Sequence, residues 1–166
     1  TIHDVSEYKG RPFFVMEHIN GTSLSEYAKN SKLSWEELFD LSIQMAEGLA
    51  EAHRCGIIHR DIKPSNILVD NKGRVKLLDF GLATIKGTSK LTKTGSVMGT
   101  LHYMSPEQTR GAVLDERSDI FSLGIVMYEM IAGQLPFEGE YGPGIMYSIG
   151  YEEPEPLARY KSGVPE

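Results

Sequence analysis

The sequence predicts an α+β fold in which helices hold most of the core and the strands are few, short and antiparallel. Three observations predict it. Two long segments carry apolar residues at helical spacing, one short pair of apolar runs flanks a tight turn, and one Phe- and Val-rich run sits near the start of the chain.

Taken in order, residues 1–4 already read as the interior of a strand. The run 11–19 (RPFFVMEHI) follows the turn-prone Lys9-Gly10 and ends at Asn20-Gly21, so it reads as a strand entering a short connection. Ser34 with Glu37 three residues on fits a capping box at a helix start. Leu38, Leu41, Met45, Leu49 and Ala52 then share one helical face, and Gly56 supplies a left-handed stop. Residues 67–69 and 75–78 flank Asp70-Asn71-Lys72-Gly73 as a hairpin. From 79 to 107 Gly, Ser, Thr and Lys crowd without period; a structureless loop that long in a compact domain points to function. A second, strongly apolar and central helix is expected around Ile120, Leu123, Met127, Met130 and Ile131, ended by Gly133 and Pro136.

With 166 residues the chain fits one domain, and 40% hydrophobic with 24% charged residues is globular composition, not that of a disordered tail, collagen or coiled coil. Seventeen basic against 23 acidic side chains give a charge of −6. Without a basic block, neither nucleic acid nor an anionic membrane surface is expected as a partner. Cys55 stands alone, which fits a reducing compartment and a cytoplasmic location; it reads as a buried thiol after a helix rather than a nucleophile. The longest apolar stretch, 120–132, is interrupted by Ser122, Gly124 and Glu129, so no bilayer span is expected.

The chemistry-bearing stretch is His59-Arg60-Asp61-Ile62-Lys63-Pro64-Ser65-Asn66, followed after the hairpin by Asp79-Phe80-Gly81. Each has an ordinary structural reading when taken alone, since an Asp before a turn often caps and an Asn at a strand entrance often bonds backbone. Together they reproduce H-R-D-x-K-x-x-N and D-F-G, joined by a hairpin as that motif pair requires.

Here the sequence resembles the eukaryotic-type serine/threonine protein kinases over essentially its whole length. The resemblance extends to 99–107 (GTLHYMSPE) and 118–124 (SDIFSLG), and Tyr103 to Gln108 with Arg110-Gly111 look most like the bacterial members. It implies a protein kinase-like fold, with 1–19 as the end of the small lobe and the hinge and 20–166 as the mainly helical large lobe without its last helices. It further implies ATP and Mg2+ as cofactors, proteins bearing Ser or Thr as substrates, and self-association for autophosphorylation.

Residue by residue, the resemblance makes Asp61 the group that orients the substrate hydroxyl and takes its proton, and Lys63 the cation facing the transferred phosphate. Asn66 and Asp79 become the magnesium ligands, a set of hard oxygens that suits that ion. Thr100 is expected beside Asp61 and Lys63, selecting hydroxyl substrates. Adenine is expected on the carbonyl of Glu17 and the amide of Ile19, with Met16 behind it, Leu68 beneath it and Ser23 near the ribose. Ser65 stands where an acidic residue selects basic substrates, so no strong basic preference is expected, although Glu129 occupies another such place. His59 and Phe80 read as packing residues. Asp119 reads either as the N-cap of the apolar helix or as an acceptor for the catalytic-loop backbone. Among the hydroxyls of the long loop, Thr92 and Thr94 are expected as regulatory phosphorylation sites, with Arg60 able to pair with such a phosphate.

The glycine-rich phosphate loop, the strand lysine and its glutamate partner belong upstream of Thr1 in this pattern, and Gly142-Pro143-Gly144 is no substitute. The chain therefore reads as a fragment, weak or inactive alone, with apolar faces exposed and Glu107 left without its usual arginine. Two other classes stay open at this stage. One is a pseudokinase or docking module, which the retained Asp61, Asn66 and Asp79 disfavour. The other is a small-molecule phosphotransferase, which Lys63, Phe80-Gly81 and Ser105-Pro106-Glu107 disfavour.

Overall fold

The computed structural model describes residues 2–30, 33–80 and 96–163. Strands β1 (Ile2–Tyr8) and β2 (Arg11–Met16) form an antiparallel ribbon with Val5 opposite Phe14. Lys9 and Gly10 join them, both at positive φ, 50° and 74°, as the tight turn matched to strand twist requires. β2 ends at Met16, short of the expected Ile19, because the chain leaves the ribbon there to enter a second sheet. Val5, Tyr8, Phe13, Phe14, Val15 and Met16 are all exposed on this ribbon.

The second sheet has the order β3-β4-β5, from Gly21–Ser23, Ile67–Asp70 and Val75–Leu77. Gly21 is required at its edge, since a Cβ there would lie 2.4 Å from the Val69 carbonyl oxygen. Helix α1 (Leu24–Asn30) follows directly, its first turn closed by the Ser23 hydroxyl, which accepts the Glu26 amide at 3.2 Å. Neither β3 nor α1 is predicted by the sequence pattern, both being too short to show a period.

Helix α2 (Trp35–Arg54) begins with the expected capping box and ends at Cys55, with Gly56 at φ 72°. Leu38, Leu41, Met45 and Leu49 are buried along it. Cys55 is exposed rather than buried, because the cap position lies past the helix's core-facing stripe.

The stretch after β5 is not structureless throughout, as α3 (Ser96–Leu101) and α4 (Pro106–Thr109) occupy its second part. Ser105 caps α4 with Gln108 as the reciprocal partner, and Pro106 sits in the first turn where its missing amide costs nothing. Expected phosphorylation sites Thr92 and Thr94 lie outside the described residues.

Helix α5 (Glu116–Ala132) is capped by Asp115, whose side chain accepts the Arg117 amide at 3.0 Å, so Asp119 is not the N-cap but lies within the first turn. Its buried arc also differs from the expected one, since Ile120 is 58% exposed while Ile125 and Val126 are enclosed. Leu123 and Val126 join Leu24, Leu41, Met45, Leu49, Ile62, Ile67 and Val69 in one cluster. Ile125 joins Leu101, Phe137, Ile145 and Ile149 in a second. The helix is therefore central, with each enclosed aliphatic side chain contributing about 1.5–3 kcal/mol of transfer free energy.

Helix α6 (Gly142–Tyr151) is unexpected, and it takes Gly142-Pro143-Gly144 as its first turn. Beyond it, the Tyr128 hydroxyl donates to the Glu155 carbonyl at 2.9 Å and the Lys161 ammonium lies 4.6 Å from the Trp35 ring centroid, fastening the tail to α5 and α2. Among the described residues, no helix is long and apolar enough to cross a membrane.

Candidate active site

The loop 57–66, between α2 and β4, carries most of the predicted site, and side chains rather than a backbone ladder hold it. Asp119, 1% exposed, accepts the His59 amide at 2.8 Å on one oxygen and the Arg60 amide at 2.7 Å on the other. Nε2 of His53, in the last turn of α2, lies 2.8 Å from the oxygen that takes the His59 amide. Of the two readings of Asp119, the backbone acceptor is the observed one.

Arg60 has φ 68° and Asp79 has φ 61°, left-handed values that non-glycine residues adopt at a cost of order 1–3 kcal/mol. One of these two residues adjoins Asp61 and the other opens the second motif. At Arg60 the Asp119 carboxylate and the Gln108 carboxamide hold the backbone in this conformation.

Asp61 is engaged from two sides. The Lys63 ammonium lies 2.9 Å from its Oδ2, and the Asn66 amide nitrogen donates at 2.8 Å to both that oxygen and the Asp61 carbonyl. Lys63 also donates to the Thr100 hydroxyl at 2.9 Å, so Asp61, Lys63, Asn66 and Thr100 meet as expected. Of these, Lys63 and Thr100 border a cleft of about 310 Å³ lined also by Ser25, Pro64, Ser65, Gly99 and Tyr103.

β5 runs out toward Asp79 and is fastened at its end to the loop 57–66. The Leu78 amide donates to the Asn66 carbonyl at 2.8 Å, and the Leu78 carbonyl lies 2.7 Å from His59 Nε2, which pins the residue just before Asp79 to the loop 57–66. His59 is enclosed and its ring packs at 4.6 Å against Phe80, the packing role expected for both. Burial pushes the His59 pKa below the ordinary imidazole value, against the Leu78 carbonyl and the charges of Asp119 and Asp61, which act to raise it. The neutral ring donates from Nε2 to Leu78 and accepts the Asp61 amide on Nδ1 at 3.3 Å, fixing its tautomer.

Nearby, the Tyr103 hydroxyl donates to Glu129 at 2.6 Å. Burial, with that bond and the Glu129 charge, holds the phenol far above its ordinary pKa, so it stays a donor. Glu107 is not left unpaired, since the Ser118 hydroxyl donates to it at 2.5 Å. Burial acts to raise its pKa, but bonds from Ser118, its own amide and Ser105 together hold it below the usual carboxylate value.

Glu17 and Ile19 occupy the connector before β3, and Ser23 stands opposite Leu68 across the β3–β4 pair. Two residues escape the sequence reading. Gln108, whose side-chain nitrogen donates to the Arg60 carbonyl at 2.8 Å, stands in the family-like stretch 103–108 and carries a capping-box spacing from Ser105, but neither feature points to Arg60. His53 gave no sequence signal, because its partner lies 66 residues away.

The family model described as the protein kinase domain matches residues 1–157, and the chain belongs to that family. Over its full length it is 40% identical to the serine/threonine-protein kinase PrkC of Bacillus subtilis, covering 26% of that protein. It is 40% identical to the probable serine/threonine-protein kinase PknB of Lactococcus lactis, over 84% of this chain and 22% of that protein. Against the probable serine/threonine-protein kinase CPE1738 of Clostridium perfringens it is 45% identical, over 84% of this chain and 21% of that protein. The chain thus spans about a quarter of the length of these relatives.

Proposed function

We propose that this chain is the catalytic core of a serine/threonine protein kinase, transferring the γ-phosphate of ATP to Ser and Thr hydroxyls of proteins. The observation that carries the reading is the Lys63 ammonium, 2.9 Å from both the Asp61 carboxylate and the Thr100 hydroxyl. Phosphoryl transfer needs positioning and charge neutralisation more than covalent chemistry. In this reading Asp61 accepts a hydrogen bond from the incoming hydroxyl and takes its proton. Lys63 faces the transferred phosphate, and Thr100 holds the ammonium on the cleft side.

The donor chemistry fits a divalent ion such as magnesium. Asn66 gives its side-chain nitrogen to Asp61, which leaves its carboxamide oxygen as the atom suited to a metal, and the Asp79 carboxylate would be the second protein ligand. Among the described residues there is no cluster of three or more His, Cys, Asp or Glu able to hold a metal. Two protein oxygens suit an ion that takes its remaining ligands from phosphates and water. When bound, the metal neutralises phosphate charge.

In the same reading the connector at Glu17 and Ile19 receives the adenine against Met16, Leu68 lies under it, and Ser23 reaches the ribose. Residues 1–19 are then the end of the small lobe and the hinge, and the remainder belongs to the large lobe. Thr92 and Thr94 are the regulatory acceptors, phosphorylated between copies, with Arg60 pairing to the phosphate beside Asp61. The lone cysteine and the acidic surface support a cytoplasmic catalytic domain acting on proteins.

The test is labelled ATP with a protein mixture and the full-length protein, beside its Asp61→Asn variant. Label on Ser and Thr of proteins, lost in the variant, is expected. Label appearing only on small alcohols or sugars, or persisting unchanged in the variant, would overturn the reading.

A further inference from the structure

Gln108 stands at the third position of α4 and uses both ends of its carboxamide. Its Oε1 accepts the Ser105 amide at 2.8 Å and its Nε2 donates to the Arg60 carbonyl at 2.8 Å. The two partners fix the amide's orientation, because an N–H must face the oxygen and a C=O the nitrogen. Ser105 is fully buried, so the cap is an enclosed feature.

The bond to Arg60 falls where the catalytic loop is under strain. Arg60 sits at φ 68°, and side chains hold the backbone on either side of it. Asp119 takes the amides of His59 and Arg60, His59 takes the amide of Asp61, and Asn66 takes its carbonyl. Gln108 donates to the carbonyl of Arg60, which belongs to the peptide leading into Asp61. A capping box needs only an acceptor at this position, and Glu meets that need as well as Gln. The donor end is what joins the loop carrying Asp61 to the segment whose upstream part, Gly99, Thr100 and Tyr103, lines the cleft.

We propose that Gln108 is a positioning residue that holds the Arg60–Asp61 peptide in place against the cleft wall bearing Thr100. The proposal rests on the kinase reading above for its catalytic consequence, while its structural part stands independently.

Gln108→Glu separates the two roles, since it keeps the cap acceptor and replaces the donor by an oxygen facing the Arg60 carbonyl. In the full-length protein, amide exchange across residues 59–62 is expected to rise in this variant while that of 105–108 stays as in the wild type. With ATP and a protein substrate, kcat is expected to fall by about 10- to 100-fold, the scale of a misplaced catalytic group, with KM for ATP changing less than about twofold. Gln108→Met, which lacks both ends, is expected to show the same loss of kcat together with faster exchange at 105–108. It also serves if the Glu variant fails to fold. Wild-type exchange at 59–62 in Gln108→Glu would reduce Gln108 to a helix cap and overturn the proposal. If the wild type itself transfers no phosphate, the kinase reading fails, and the exchange comparison still decides the role of Gln108.

Discussion

Asp119 holds Arg60 by its amide at 2.7 Å, across 59 residues of chain, and with its other oxygen it holds His59. A carboxylate in the first turn of the central helix thus acts as the template for a loop that has no hydrogen-bonded ladder of its own. The loop needs such a template, because Arg60 is kept in a left-handed conformation that short peptides rarely populate. Placement on α5 gives the template rigidity, since Leu123, Ile125 and Val126 of the same helix anchor both core clusters.

Asp119→Asn should therefore cost stability and activity together. The carboxamide can accept one of the two loop amides but turns its own N–H groups toward the other. A buried amide left without an acceptor costs about 1–3 kcal/mol. The denaturant midpoint of the full-length protein's kinase transition is expected to drop accordingly, with kcat falling about tenfold or more as Asp61 loses its alignment. A variant as stable and as active as wild type would show that the loop holds its shape without Asp119.

Thr100 tests the cleft side of the same constellation. Thr100→Val keeps the shape and removes the acceptor of the Lys63 ammonium, which the hydroxyl holds at 2.9 Å. A hydrogen bond to a charged group contributes about 1.5–3 kcal/mol, so a loss of roughly 10- to 100-fold in kcat is expected. Thr100→Ser, which retains the hydroxyl, should stay within about threefold of wild type. Equal activity in the Val and wild-type proteins would remove Thr100 from the site.

The meeting of Asp61, Lys63 and Asn66 was legible in the sequence because all three sit in one short contiguous motif, and the long helices were legible because their period is long enough to count. What escaped has physical causes. β3 and α1 are too brief to show a period, and α6 hides behind Gly142-Pro143-Gly144, residues that read as a break but serve as a first turn. On α5, apolar residues lie nearly all round, so the pattern could not say that Ile120 faces solvent and Ile125 the core. The clamps from His53, Gln108 and Asp119 join residues 48 to 66 positions apart, a separation about which local spacing is silent.

His59 is expected to give the fold a pH response near neutrality. Burial holds its pKa in the folded chain below the ordinary value of about 6.5, while the unfolded chain keeps that ordinary value. Between the two values the unfolded chain binds a proton that the folded chain refuses, so unfolding takes up protons and stability rises with pH across that window. The contribution is complete above about pH 6.5 and is lost as pH falls below it. Glu37, Asp70, Glu107 and Asp115, each held below the usual carboxylate value, add a second loss that sets in only below about pH 4.5. Thermal melts from pH 8 to pH 4 are therefore expected to show a decline starting near pH 6.5, ahead of the steeper acid limb. His59→Phe, less stable at pH 8 because it loses the Leu78 and Asp61 bonds, is expected to stay flat between about pH 6.5 and 5. Parallel wild-type and variant curves in that interval would mean that another group carries the decline.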